Sequence, residues 1–369
     1  FQQTGSPQST NSIVAFPYEV AIDDNNHTWV GQAGGYISEY NPTTDTWNNI
    51  KYPNSYDTFS DPFLHISTDH QGNKWMTSRN DSESTLFKYD SNNQWTIYNN
   101  TNSAIPDTIP LICITIDQNN IKWIGTYRNG LFRFDDTTPN DTTWQHFNIN
   151  PTGYSGNTIG HIAIDANNRK YLSCTYSGYV ILDDSNPNNP IFTTYNHATW
   201  FENSWGGWYV PWYSTLDSHG NKWISTAQGL IKFRNDNDHT IIPISNTGLR
   251  GFAIGALYTA SDGKVWVGMI DDGIGAYNPA TNTWQHYRYV NNPQQLPKPY
   301  IFDLTEDKNH TLWAATGNGI TRYDPNTDTW IYNNEMKFGI NEIDVLSIAV
   351  DNNNIKWLAC NHEKRIIRY

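Results

Sequence analysis

The fold is decided by the stretch DQNNIKWIGTYRNGLFRFD at residues 117–135. It contains an Asp-x-x-Asn turn, a short strand-like run around Trp123, a glycine at position 130 and the alternating run LFRFD. Alternation of apolar and polar residues with period two, broken by Asn, Asp and Gly, is typical of antiparallel strands joined by hairpins. The stretch therefore predicts two neighbouring strands of an antiparallel sheet.

The same pattern recurs eight times along the 369 residues, and each copy carries an anchor aromatic residue after its turn. The anchors are separated by 46, 48, 48, 52, 43, 47 and 44 residues and are Trp29, Trp75, Trp123, Tyr171, Trp223, Trp266, Trp313 and Trp357. A further strand precedes each turn, and another, usually introduced by Trp, closes each copy. Four short strands at this period are typical of one blade of a β-propeller. The sequence therefore predicts an all-β fold, a single β-propeller domain over residues 1–369 with eight four-stranded blades.

The eighth copy stops at Tyr369 inside its third strand, whereas residues 1–12 precede the first strand of the first copy and have no counterpart in the repeat. An open sheet edge can pair with another chain, and propellers protect their edges. We therefore predict that the N-terminal segment supplies the outer strand of the last blade and closes the ring noncovalently.

The chain carries 36 acidic and 23 basic residues, which gives a net charge of −13. This balance repels phosphate backbones and anionic lipid, so nucleic acid and acidic membranes are excluded as partners. No run approaches the roughly 18 apolar residues that span a bilayer, so no membrane insertion is predicted. The opening FQQTGSPQST shows neither an initiator Met nor a signal sequence, and we expect a processed or trimmed chain.

An Asp lies six residues before the anchor in seven copies: Asp23, Asp69, Asp117, Asp165, Asp217, Asp307 and Asp351. Seven regular occurrences indicate a structural role, in which the carboxylate accepts bonds from backbone N–H groups of the turn. A calcium loop is the alternative, but no copy supplies the spaced carboxylates and terminal Glu of an EF-hand. The chain shows no HExxH helix, phosphate loop or clustered Cys and His, so neither a metal nor a cofactor is predicted.

Four of the sixteen Trp residues fall outside the repeat, in the insertion ATWFENSWGGWYVPWY at residues 198–213. These rings either pack on one another as a plug or reach solvent, where they can stack on sugars or anchor a protein partner. The insertion should emerge on the face that carries the loops between second and third strands. The candidate ligand-binding residues of that face are Trp200, Trp205, Trp208, Tyr209, Trp212, Tyr127, Arg128 and Tyr176.

The position four residues before each turn Asp, or before its substitute Ala260, is predicted to face the central channel. Around the ring this position is occupied by Glu19, His65, Cys113, His161, Tyr213, Ala256, Asp303 and Ser347. Two His, two carboxylates, a thiol and a phenol could bind a metal or run acid–base chemistry. They could equally be the polar wall of a wet channel. If the protein is an enzyme, the candidate catalytic residues are Glu19, His65, His161, Tyr213 and Asp303.

The repeat resembles the two-component-regulator propeller repeat, most closely in NIKWIGTYRNGLFRFD at residues 120–135 and NKWISTAQGLIKF at residues 221–233. The resemblance covers all eight copies. It implies a β-propeller from the extracytoplasmic sensor regions or secreted surface proteins of Bacteroidetes. Because the matching residues build the blade, the resemblance implies the fold more strongly than the function. The chain contains no kinase or DNA-binding region, so we expect a free-standing or excised propeller.

These observations favour an extracytoplasmic, non-catalytic binding module that recognises a glycan or a protein partner on its loop-rich face. One alternative is an enzyme acting on extracellular polysaccharide, a lyase or hydrolase, with its site at the channel mouth. Another is a structural subunit of a larger cell-surface assembly. All three hypotheses predict a bacterial extracytoplasmic location, which rests on the family resemblance.

Overall fold

The computed structural model describes residues 2–4, 17–32, 36–51, 63–78, 84–137, 143–149, 158–175, 178–195, 213–217, 219–226, 229–235, 238–243, 254–288, 296, 298–332, 344–360 and 365–369. Every regular element within these ranges is a β-strand, and the ranges contain no helix that could cross a membrane. The strands form eight antiparallel sheets of four strands each. The prediction of an all-β, eight-bladed propeller with four-stranded blades is therefore confirmed.

The chain divides into two compact units, and the second, residues 61–216 with 220–241, holds most of blades II to V. Within this unit the first strands of successive blades pack against one another. Its strands are β6 (Phe63–Thr68), β7 (Lys74–Ser78), β8 (Leu86–Tyr89) and β9 (Trp95–Tyr98) in blade II; β10 (Leu111–Ile116), β11 (Lys122–Thr126), β12 (Leu131–Asp135) and β13 (Thr143–Phe147) in blade III; β14 (Thr158–Ile164), β15 (Lys170–Thr175), β16 (Gly178–Asp183) and β17 (Ile191–Tyr195) in blade IV; and β18 (Ser214–Leu216), β19 (Lys222–Thr226), β20 (Gly229–Asn235) and β21 (Asp238–Pro243) in blade V.

The first unit, residues 1–60 with 217–219 and 242–369, holds blade I and blades VI to VIII. Its strands are β1 (Gln2–Thr4), which belongs to blade VIII; β2 (Pro17–Ile22), β3 (Thr28–Gln32), β4 (Tyr36–Asn41) and β5 (Thr46–Lys51) in blade I; β22 (Ile254–Thr259), β23 (Val265–Met269), β24 (Gly273–Asn278) and β25 (Thr283–Arg288) in blade VI; β26 (Ile301–Glu306), β27 (Leu312–Thr316), β28 (Gly319–Asp324) and β29 (Thr329–Ile331) in blade VII; and β30 (Val345–Val350), β31 (Lys356–Cys360) and β32 (Arg365–Arg368) in blade VIII.

The turn between the first and second strands explains the Asp-x-x-Asn and Asp-x-x-Gly signatures. The third residue after the Asp, or after Ala260 in blade VI, has a positive φ in every blade, for example 63° at Asn120 and 81° at Gly72, and it is Asn or Gly in every blade except VII, where it is His310. Asn and Gly tolerate this left-handed conformation better than other residues. In blade III, Asp117 Oδ1 accepts the backbone N–H groups of Asn119 at 2.9 Å and Ile121 at 3.0 Å. The turn role predicted for the repeated Asp is confirmed.

The same carboxylates also hold the anchor rings, which the sequence analysis did not predict. Trp123 Nε1 donates to Asp117 Oδ2 at 2.9 Å, and the Tyr171 hydroxyl donates to Asp165 Oδ2 at 2.8 Å. In blade VI, Ala260 takes the place of the Asp, and the buried Trp266 Nε1 has no acceptor among the described residues. The six-residue spacing between Asp and anchor is therefore explained by this second bond.

The hydrophobic core consists of layers between neighbouring blades. Between blades III and IV, Trp123 and Leu131 pack with Ile162, Leu172 and Val180 of the next sheet. Equivalent layers separate blades VI and VII and blades VII and VIII in the other unit. Burying a large apolar side chain contributes about 1.5–3 kcal/mol, so these layers are the main source of stability within each unit.

Blade VIII takes its fourth strand from the N-terminal segment. Strand β1 runs antiparallel to β32, with Gln2 opposite Arg368 and Thr4 opposite Ile366. This pairing covers the edge of the last blade. That it closes the whole ring stays a prediction.

Candidate functional site

In several blades, the residue directly before the anchor aromatic is a lysine whose side chain contacts the preceding blade. Lys170 of blade IV lies with its Nζ 2.8 Å from Asp117 Oδ2 of blade III and 4.7 Å from the centroid of the Trp123 ring. Lys122 of blade III has the same relation to blade II, 3.5 Å from Asp69 Oδ2 and 4.9 Å from the Trp75 ring. Sequence reasoning missed this contact, although Lys precedes the anchor in five of the eight copies.

These junctions bury full charges. The side chains of Lys122 and Lys170 are 0% exposed, so each ammonium needs charged partners to offset its lost hydration. Burial alone would raise the pKa of Asp117, but hydrogen bonds from Lys170 and Trp123 outweigh burial and lower that pKa below its usual value. Asp117 is therefore an anion in the folded protein at neutral pH.

Each of these two lysines also reaches a second carboxylate, at the connection after the third strand of its own blade. Lys122 contacts Asp136, and Lys170 contacts Asp184, fourteen residues further along the chain in both cases. The II/III and III/IV junctions therefore share the same arrangement of one buried lysine between two aspartates.

The two junctions differ in the cation on the preceding blade. At the II/III junction, Lys88 lies opposite Trp75 in the sheet and pairs across the junction with Asp136 at 2.9 Å. At the III/IV junction, Arg133 lies opposite Trp123, but its Nη2 donates at 3.0 Å to Asp135 of its own strand. No described bond joins Arg133 to blade IV, so the cation that bridges one junction does not bridge the other.

A cleft of about 410 Å³ lies at the III/IV junction. Its wall is polar except for Ile121 and Pro187, and it includes Arg133 together with Asn119, Asp135, Asn167, Asn168, Asp183, Asp184 and Ser185. Arg133 is only 8% exposed, and its Nε is buried with no acceptor among the described residues. Within the described part of the chain, no group of three or more His, Cys, Asp or Glu side chains could hold a metal ion. The cleft combines a guanidinium that has N–H groups without a described acceptor with amide, hydroxyl and carboxylate groups.

The candidate catalytic residues of the first unit are Glu19 and Asp303, and both side chains are partly exposed. Asp303 Oδ1 accepts the Leu304 N–H at 2.8 Å, while Oδ2 accepts the Ile348 N–H at 2.9 Å and the Ser347 hydroxyl at 3.1 Å. Burial, with a smaller contribution from Glu19, raises the pKa of Asp303 to about 6. This carboxyl therefore ties blade VII to blade VIII and also titrates close to neutral pH.

The candidate residues of the second unit are His65, His161 and Tyr213, which are also partly exposed. His161 Nδ1 lies 3.0 Å from Ser214 Oγ, so it contacts the first strand of the next blade. Burial lowers the pKa of both His65 and His161 to about 4, and the charge of His65 adds to the effect on His161. Both imidazoles are therefore neutral at pH 7.

Cys113 differs from the expectation that its position faces the channel. It is buried, and its Sγ donates to Ile159 O at 3.6 Å in the layer between blades III and IV. Ala256 at the equivalent position of blade VI is also buried. Because a thiol and a methyl group gain from apolar contact, these two members of the predicted channel ring belong to the core.

The predicted loop face is described only at Tyr127 and Arg128. Tyr127 is 41% exposed, and the Arg128 guanidinium lies 4.8 Å from the centroid of its ring. Trp200, Trp205, Trp208, Tyr209, Trp212 and Tyr176 lie outside the described residues. Whether the aromatic insertion joins this loop in one cleft stays a prediction.

Comparison with known proteins supports the propeller fold. No protein-family model matches the chain. A curated relative, histidine kinase P4 of Formosa agariphila, is 33% identical over 92 residues, which are 24% of this chain and 7% of the kinase. The chain therefore corresponds to a small part of that relative.

Solved structures share the fold at low sequence identity. The extracellular domain of a hybrid two-component system from B. thetaiotaomicron has a TM-score of 0.51 and 15% identity, over 95% of this chain and 50% of that chain. PorZ, a surface component of the type-IX secretion system of Porphyromonas gingivalis, has a TM-score of 0.60 and 16% identity, over 99% of this chain and 54% of that chain. Virginiamycin B lyase from Staphylococcus aureus has a TM-score of 0.55 and 15% identity, over 99% of this chain and 97% of that chain.

The chain is thus a propeller like those of Bacteroides extracellular sensor domains and of bacterial surface proteins. It spans about half the length of the sensor domain and of PorZ. At these identities the likeness shows the fold, while ligands and partners have to be argued from this chain's own residues.

Proposed function

We propose that this propeller is an extracytoplasmic recognition module of a bacterium, which binds a glycan or a protein partner without catalysing a reaction. The observation that carries the proposal is the exposed Tyr127 ring with the Arg128 guanidinium over it. Tyrosine and arginine are enriched at binding hot spots, and an aromatic face with a cation beside it suits either a sugar or a protein side chain.

The loop that presents this pair is held in place from several sides. Tyr127 N–H donates to Pro110 O at 2.9 Å, and Arg128 N–H donates to Thr158 Oγ1 at 2.9 Å at the start of blade IV. Arg128 has a φ of 61°, a left-handed conformation that is uncommon for a residue with a side chain. A loop that is already ordered loses little entropy on binding, which favours recognition by these residues.

The test compares Tyr127→Ala with Tyr127→Phe on a glycan array and in co-purification from an extracytoplasmic extract. Wild type and Tyr127→Phe should retain the same glycan or partner, while Tyr127→Ala should bind several-fold more weakly with an unchanged unfolding temperature. Equal binding by Tyr127→Ala, or no retained glycan or protein for wild type, would contradict the proposal. Stoichiometric co-purification with a surface complex would favour the structural-subunit alternative, which the likeness to PorZ makes relevant.

Acid–base catalysis on an extracellular polysaccharide is a second candidate, favoured by the pKa of about 6 at Asp303 beside Glu19. The hydrogen bonds that Asp303 already accepts from Leu304, Ser347 and Ile348 support a structural role instead. The two functions are separated by incubating the protein with a polysaccharide panel and measuring released reducing ends and unsaturated products. Product release that disappears in Asp303→Asn would favour the enzyme.

A further inference from the structure

We propose that the cleft between blades III and IV is a second binding site, which takes a small, neutral, polyhydroxylated ligand of one or two sugar residues. The cleft is lined at the turn after β10, the turn after β14 and the connections after β12 and β16. The Tyr127 loop lies between β11 and β12, at the opposite end of the same strands. The site is therefore separate from the proposed recognition loop and does not depend on it.

The first argument is the state of Arg133. A guanidinium has five N–H donors, and burying one without acceptors costs free energy that a folded protein normally avoids. Arg133 is 8% exposed and uses Nη2 on Asp135, while its buried Nε has no described acceptor. The buried Nε itself is closed to a ligand, but the guanidinium lines the cleft and its Nη1 has no described acceptor, so a ligand with oxygen acceptors would bond N–H groups that the chain leaves unused.

The second argument is the comparison with the junction before it. Lys88 occupies the sheet position equivalent to Arg133 and closes the II/III junction through Asp136. Asp184 is the equivalent of Asp136, yet Arg133 is bonded to its own strand and a cleft remains. At the II/III junction a cation of the preceding blade therefore closes the gap between the blades, whereas at the III/IV junction the equivalent cation does not cross and the gap stays open as the cleft.

The chemistry of the wall indicates the ligand class. Asp135 is paired with Arg133 and Asp184 with Lys170, while Asp183 accepts the Ser185 N–H at 3.0 Å, so two of the three lining carboxylates are matched by a cation. Asn119, Asn167 and Ser185 add groups that both donate and accept hydrogen bonds, and their residues are exposed to solvent. Sugar hydroxyls also donate and accept, so they match this mixture better than a metal ion or a simple anion does. The volume of about 410 Å³ falls in the range of small-molecule sites.

The experiment measures binding of a panel of neutral methyl glycosides and disaccharides to the full chain by ligand-observed NMR at millimolar concentrations. Glucosamine, sodium sulfate and calcium chloride serve as cationic, anionic and metal probes. The test variant is Arg133→Met, and the matched control is Lys88→Met, which removes the cation at the equivalent position of the closed junction. Unfolding curves of both variants establish that they fold.

At least one neutral glycoside should bind wild type and Lys88→Met with the same affinity, and Arg133→Met should lose about tenfold or more of that affinity, or about 1.4 kcal/mol. Asp183→Asn, a milder change in the wall, should also weaken the same glycoside. Binding of no neutral glycoside, binding that survives in Arg133→Met, or binding of the charged probes alone would overturn the proposal. Tyr127→Ala should leave this glycoside bound, which separates the result from a failure of the recognition loop.

Discussion

The II/III and III/IV junctions are built from one repeat but end in different states. Both bury a lysine over the anchor ring of the preceding blade, and both join that lysine to two aspartates. Lys88 then bridges the II/III junction, whereas Arg133 turns to Asp135 and leaves a polar cleft. The comparison shows that the lysine keeps its contact with the anchor ring of the preceding blade whether the outer cation bridges the junction, as Lys88 does, or pairs within its own strand, as Arg133 does.

Side-chain chemistry accounts for the change. The ammonium of Lys88 is a compact charge on a flexible stem, so it can reach Asp136 in the next blade at 2.9 Å. The guanidinium of Arg133 is planar, so a hydrogen bond from one of its nitrogens restricts the direction of the others. Asp135, which accepts that bond, lies two residues away on the same strand. Asp90, the equivalent of Asp135 in blade II, accepts backbone N–H groups of its own turn, from Asn92 at 2.9 Å and Gln94 at 2.8 Å.

The largest effect is expected from removing the buried lysines. Lys122→Met and Lys170→Met each leave buried carboxylates without their ammonium, which should lower the free energy of unfolding by about 3–5 kcal/mol. Lys170→Met should be the worse of the two, because Asp136 keeps Lys88 in Lys122→Met while Asp184 keeps no described cation in Lys170→Met. Chemical denaturation of both variants measures the difference. Losses below about 1 kcal/mol would mean that these lysines do not hold the blades together.

A smaller effect is expected in the pH dependence of the two turn aspartates. The pKa of Asp69 and of Asp117 is lowered in the folded protein, since hydrogen bonds and the neighbouring lysine outweigh burial. A lowered folded pKa contributes stability that is complete above the unfolded value of about 3.9 and is lost as pH falls through the folded pKa.

Asp117→Asn and Asp69→Asn should therefore unfold more easily at pH 7 and lose less further stability than wild type as the pH falls below about 4. The loss of acid sensitivity should be greater for Asp117→Asn than for Asp69→Asn. Lys170 lies 2.8 Å from Asp117, whereas Lys122 lies 3.5 Å from Asp69. Thermal unfolding across the acid range measures both. Identical acid profiles for wild type and the two variants would contradict the assignment of these carboxylates as stabilising anions.

The sequence carries enough information for the blade and for its turn. Eight anchors at a regular spacing, with Asp six residues before most of them, predict the repeat because each blade solves the same packing problem. The bond from Trp123 to Asp117 and the contact of Lys170 with the preceding blade also involve repeated positions, since Asp stands there in seven copies and Lys in five. They were missed because the sequence does not say which blade a side chain faces.

The individual junctions could not be predicted in the same way. Arg133 could pair either with Asp135, two residues along its own strand, or with Asp184 of blade IV, and the sequence alone does not show which of the two carboxylates its guanidinium reaches. Cys113 was predicted to face the channel because it lies four residues before its turn Asp, as His65 does, although the thiol packs in the core. Features that all blades share can be predicted from the repeated sequence positions, while features of one junction depend on its particular side-chain contacts.

The most direct test of this account is the unfolding temperature of Arg133→Lys, measured together with binding of the neutral glycoside. The substitution gives the III/IV junction the cation that closes the II/III junction, so the introduced ammonium should pair with Asp184. We expect the free energy of unfolding to stay unchanged or to rise by up to about 1 kcal/mol, and glycoside binding to be lost. A lower unfolding temperature with binding retained would contradict the claim that blades III and IV form an opened version of the repeated junction.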